Sequence, residues 1–105
     1  FARILLIVSQ LMYNCPMTKL TLLERKLKAL ANLKRLQICS FLKKNGSTSV
    51  GDTAKEVGIS LRATSQHIKI LHSVNILTKR KRGLFVFYRI AIPQEEPIKK
   101  ILSVL

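Results

Sequence analysis

A chain of 105 residues, 48% of them apolar, has room for one small domain with one modest core, which excludes both a multidomain machine and a disordered tail. Nineteen Lys and Arg against five Asp and Glu give a net charge of +14, so the expected partner is a polyanion: nucleic acid, an anionic lipid surface or an acidic protein. Two cysteines, Cys15 and Cys39, with no Cys-x-x-Cys spacing exclude a disulfide framework and fit a reducing, cytoplasmic setting.

Phe1–Met12 is apolar apart from Arg3, Ser9 and Gln10. It is shorter than the about 20 apolar residues that cross a bilayer, and no signal-type cleavage site follows, so no membrane association is expected. Residues 1–16 read as an apolar N-terminal extension or as a helix packing on a partner, and 17–105 as the domain proper. Pro16 breaks the apolar run. Thr18–Ala31 reads as a helix, with Leu20, Leu23, Leu27 and Leu30 at spacings of three and four. Asn32 suits the N-cap of a second helix, Leu33–Lys44, which Asn45-Gly46 stops. Ser47-Thr48-Ser49 is a loop ending in a cap, because Ser49 and Asp52 resemble a capping box. A short helix, Val50–Val57, leads through the turn Gly58-Ile59-Ser60 into a helix over Leu61–Ser73 capped by Ser60. Strands are expected at Ile76–Arg80 and Phe85–Ile90, joined by the turn Lys81-Arg82-Gly83-Leu84. After Pro93 a last helix, Gln94–Leu105, carries Ile98, Ile101, Leu102 and Leu105 on one stripe.

This order predicts a mainly α (α+β) winged helix-turn-helix: a three-helix core, a two-stranded β-hairpin wing, and N- and C-terminal dimerisation helices. On a helical wheel of Leu61–Ser73, Thr64, Ile68, Leu71 and Val74 or Asn75 face the core. Arg62, Ser65, Gln66, Lys69 and Ser73 form a second face with neither an acid nor an apolar group. Arg pairs with guanine and Gln with adenine in a major groove wide enough for a helix, so Arg62, Ser65 and Gln66 are candidates for bases and Lys69 for phosphate. The helix start at Ser60 also suits a phosphate. An ordinary surface helix has a polar face too. The glycine turn before this one and the basic hairpin after it, Lys79, Arg80, Lys81 and Arg82, favour duplex DNA.

These segments resemble the ArsR/SmtB family of prokaryotic winged-helix repressors over roughly Leu27 to Ile92. The similar stretches are Leu30-Ala31-Asn32-Leu33-Lys34-Arg35-Leu36-Gln37-Ile38, Val50-Gly51-Asp52-Thr53-Ala54 with Gly58-Ile59-Ser60, Ser65-Gln66-His67-Ile68-Lys69-Ile70-Leu71, and Gly83 with Phe87-Tyr88-Arg89-Ile90. The resemblance implies a homodimer that represses by occluding a promoter. Its interface would lie on the first and last helices, at Leu20, Leu23, Leu27, Ile98, Ile101, Leu102 and Leu105, with the reading helices roughly 34 Å apart. His67 joins the DNA-facing candidates, or else bonds within the helix-turn-helix.

The sequence departs from the family's metal sensors. Val50–Lys55 holds no Cys or His and the last helix no His, so no metal and no cofactor are expected. Cys39 reads as a buried structural thiol, with a Cys15–Cys39 redox pair the rival reading. No catalytic constellation can be assembled, so an enzyme is not expected. Two other functions stay open: a nonspecific architectural DNA-binding protein, and a winged-helix protein-interaction or membrane-associated module.

Overall fold

A computed structural model describes residues 16–105; the apolar run 1–12 and Cys15 lie outside the described residues. Along the chain come α1 (Pro16–Leu30), α2 (Leu33–Asn45), β1 (Thr48–Ser49), α3 (Val50–Val57), α4 (Leu61–Ser73), β2 (Leu77–Arg82), β3 (Phe85–Ile90) and α5 (Glu96–Ser103). The helix boundaries follow local chemistry. Asn32, in extended conformation, accepts a hydrogen bond from the Arg35 amide and starts α2. Gly46, at φ 73°, ends it with its N–H on Leu42 O. Ser49 Oγ accepts from the Asp52 amide and opens α3, the first half of the expected capping box.

The sheet is antiparallel in the order β1-β3-β2, with Thr48 opposite Tyr88 and Leu77 opposite Ile90. Two features differ from expectation. The loop at Thr48–Ser49 is a short strand on the free edge of β3, where Thr48 and Thr53 hydroxyls meet at 3.2 Å. β2 also runs to Arg82 instead of ending at Arg80. Gly83, at φ 61°, lets the chain reverse in two residues, so Lys81 and Arg82 belong to the ladder, opposite Val86 and Phe85, and not to the turn.

One core joins these layers. Ile38, Cys39 and Leu42 of α2 meet Ile68 and Leu71 of α4, Ile76 and Leu77 at the start of the wing, and Ile98 and Leu102 of α5. Each such large aliphatic side chain contributes about 1.5–3 kcal/mol by leaving water. The last two are residues expected at a dimer interface. Ile98 is 0% and Leu102 6% exposed inside this chain's own core, and Ile101 and Leu105 pack partly against it. Within the monomer the stripe of α5 is thus covered at Ile98 and Leu102, while Ile101 and Leu105 keep part of their surface exposed. The helix is also shorter than expected, because Gln94 stays outside it and donates its amide to Ala91 O and Asn75 O. Both ends of α5 are tied down: Lys26 pairs with Glu95 at 3.1 Å, and Lys43 Nζ donates to Ser103 O at 2.9 Å. On α1 the situation is reversed, with Leu20 and Leu27 exposed one heptad apart and Leu23 half-buried between them.

Candidate nucleic-acid interface

The helix-turn-helix is built from α3, its turn and α4. Gly58 adopts the left-handed conformation (φ 75°, ψ 34°) and sends its N–H back to Ala54 O, so α3 stops without a Cβ clash. Ser60 then starts α4: its Oγ accepts from the Ala63 amide at 3.1 Å, and its carbonyl accepts from the buried Thr64 hydroxyl at 2.8 Å. With Thr64, Ile68 and Leu71 buried, the rotation of α4 about its axis is fixed, and Val74 is half-buried beyond them. Asn75 instead leaves the helix at φ 63° and is exposed. Arg62, Gln66, Lys69 and Ser73 are consequently exposed on the opposite face, with Ser65 half-buried at its margin. Ser73 spends its hydroxyl on Ile70 O, which leaves Arg62, Gln66 and Lys69 as the outward-reaching groups.

His67 departs from that stripe. Its Nδ1 lies 3.4 Å from Arg35 Nη1, and Arg35 Nε donates to Ala29 O at 2.6 Å. Because a guanidinium only donates, Nδ1 is the acceptor and the ring is neutral. Partial burial, and then the charge of Arg35, hold the ring's pKa below its ordinary 6.5. Through Arg35 the ring joins α4 to the junction of α1 and α2, the contact within the helix-turn-helix region that was one of its two expected roles. Sequence reasoning missed Arg35 as the organiser of this junction. The available signal was its place in the family-like stretch Leu30–Ile38, three residues after the N-cap Asn32.

Lys79, Arg80, Lys81 and Arg82 are all exposed along β2. Strand alternation separates them. Arg80 and Arg82 share a face with their partners Phe87 and Phe85, whereas Lys79 and Lys81 share the other with Tyr88 and Val86. Tyr88 packs toward the core and meets His72 edge-on at 6.2 Å, so the lysine face is the one turned to the helices. The hairpin tip carries two apolar groups that sequence reasoning did not single out, Leu84 at 96% and Phe85 at 66% exposure.

Between Val57 and Gln94 the chain has no Asp or Glu, while Arg62, Lys69, Lys79, Arg80, Lys81, Arg82 and Arg89 all lie there. Helix and wing therefore present one uninterrupted sign of charge. Among the described residues no three His, Cys, Asp or Glu side chains come together as a metal site. Burial pushes the Cys39 thiol up to about 12, so it stays protonated and unreactive at neutral pH.

The model of the family described as "Bacterial regulatory protein, arsR family" matches residues 32–79, from the α2 cap to the first half of the wing. The arsenical resistance operon repressor of Bacillus subtilis is 36% identical over 80 residues, covering 76% of this chain and 73% of that protein. The chain belongs to the arsR family of bacterial regulatory proteins. The transcriptional activator HlyU of Vibrio cholerae is 34% identical over 72% of this chain and 69% of its own length. Among solved structures, the homodimeric winged helix-turn-helix DNA-binding domain of a possible ArsR-family regulator from Mycobacterium bovis superposes with a TM-score of 0.73 at 31% identity, covering 84% of this chain and 78% of that one. NolR from Sinorhizobium fredii gives 0.71 at 30% identity, covering 86% and 88%. The arsR-family chain is thus a winged helix-turn-helix transcription regulator, mainly α with a β wing, as its element order predicts.

Proposed function

We propose that this arsR-family regulator binds duplex DNA as a homodimer, reads sequence with α4, and represses by occluding a promoter. One observation carries the reading: the exposed groups Arg62, Gln66 and Lys69 lie on a helix whose rotation is locked by a buried opposite face, followed by a wing with four consecutive cations, in a stretch from Val57 to Gln94 without Asp or Glu. In this reading Arg62 and Gln66, with Ser65 at the margin, contact base edges. Lys69, the start of α4 at Ser60, and Lys79 to Arg82 contact phosphate. The unit that binds is 17–105, with 1–16 as an extension to it.

Dimer formation uses α1, because Leu20 and Leu27 are exposed there, while α5 supports it with Ile101 and Leu105 at the edge of the core. Among the described residues no helix is long and apolar enough to cross a membrane. No catalytic role is proposed. Selection of bound duplexes from a random library, followed by competition with random duplex DNA, tests the reading. The expected result is a two-fold symmetric site that outcompetes random DNA by at least about tenfold. A protein that coats DNA without preference gives equal competition and overturns it.

A further inference from the structure

A cavity of about 510 Å³ opens where the C-terminal end of α2, the end of β3 and α5 meet. Small-molecule sites typically measure about 300–1,000 Å³. The walls are apolar, with Leu42 and Leu102 buried at the core side, Ile90 half-buried at the end of β3 and Ile92 at the mouth. Ile92 is 89% exposed, a large aliphatic side chain that the fold leaves in water at the mouth. Three cations line the same cavity, Lys43, Arg89 and Lys99, and no Asp or Glu does. The rim is therefore positive and unbalanced while the interior is apolar.

We propose that this cavity is an effector site for a small amphiphilic carboxylate, its head held by Arg89 and Lys99 and its apolar body laid over Ile90, Ile92 and Leu102. The chemistry follows from the lining. A guanidinium matches a carboxylate in two parallel hydrogen bonds, and Lys99 adds a second charge. An apolar body that covers Ile92 gains transfer free energy by taking that side chain out of water. A neutral apolar molecule leaves the cations without a partner, and a small hydrophilic anion leaves the walls wet.

The position links two parts of the regulator. Ile90 ends the wing strand β3, whereas Leu102 and Ser103 belong to α5. Lys43, which donates to Ser103 O across the same junction, is drawn toward a bound anion and loosens that tie. Occupancy therefore shifts the wing against α5 and lowers DNA affinity. This consequence rests on the proposed function; the binding itself does not.

Calorimetric titration of the full chain without DNA tests the site, using decanoate, decanol and acetate. Decanoate is expected to bind saturably, with decanol and acetate weaker by at least about tenfold, or about 1.4 kcal/mol. The double variant Arg89→Gln, Lys99→Gln should lose at least about tenfold in decanoate affinity, whereas Lys19→Gln, Lys55→Gln, remote and exposed, should lose none. Amide shifts of the unaltered chain should move at Gly46, Ala91 and Ser103, which keeps the test valid if a variant folds poorly. Absence of decanoate binding, equal binding of decanol, or equal loss in both double variants overturns the proposal. Duplex binding measured without decanoate judges the regulator reading separately.

Discussion

The reading helix and the wing carry similar polar and cationic groups on different kinds of support. Beneath α4 lie Thr64, Ile68 and Leu71, none more than 1% exposed, and its first turn is clamped by Ser60. The wing rests on the core only at its base, through Leu77, Tyr88 and Ile90, and beyond them Lys79 to Arg82, Leu84 and Phe85 stand in solvent. Base reading needs a group held within about 0.5 Å, which packing supplies. Phosphate attraction needs only a charge nearby, which a cantilevered ribbon supplies. This contrast supports the proposed division of labour, with specificity in the packed element and salt-sensitive affinity in the unsupported one.

The largest expected effect tests the support itself. Leu71→Ala removes a fully buried side chain and should cost about 2–5 kcal/mol, a large part of the about 5–15 kcal/mol by which small domains are stable. Leu84→Ala, at the wing tip, should stay within about 0.5 kcal/mol. Urea unfolding of both variants decides; comparable losses would mean that the tip is packed and the contrast false.

Next in size come the bases. Arg62→Ala or Gln66→Ala should each cost about 1–3 kcal/mol on the preferred duplex and little on random DNA, so the site relaxes at one position. Repeating the duplex selection with each variant shows whether that position changes. Smaller is the effect of Arg82→Ala, which should weaken preferred and random duplexes alike and reduce the slope of log affinity against log salt by about 1. If Arg82→Ala alters sequence preference instead, the wing reads bases and the division collapses.

Much of this contrast was legible in the sequence, because periodicity reports which side of an element is apolar. Thr64, Ile68 and Leu71 share a face by spacing alone, and Asn32, Ser49 and Ser60 are cap residues whose role is local. Three things were not legible. β1 is two residues long and shows no period. The stripe of α5 is apolar whether a partner or the chain's own core covers it, and only the fold shows that Ile98 and Leu102 are used internally. His67 sits next to the reading stripe in sequence, and its direction is set by Arg35, 32 residues away.

That long-range pair supports the smallest expected effect, which bears on how firmly the reading helix is seated. Arg35 holds the C-terminal end of α1 through Ala29 O and touches α4 through His67 Nδ1. A neutral ring accepts from the guanidinium, while a protonated ring sets two cations against each other. Burial and Arg35 lower the ring's folded pKa beneath 6.5, so above that pH both folded and unfolded chains hold it neutral and the contact is fully present. As the pH falls through 6.5 toward the folded value, the unfolded chain takes up a proton that the folded chain refuses, and stability declines. His67→Gln removes the titration, so unfolding midpoints followed from about pH 7.5 to about pH 5.5 should fall less steeply in the variant. An identical slope in the two proteins would detach α4 from this clamp and leave its seating to Thr64, Ile68 and Leu71 alone.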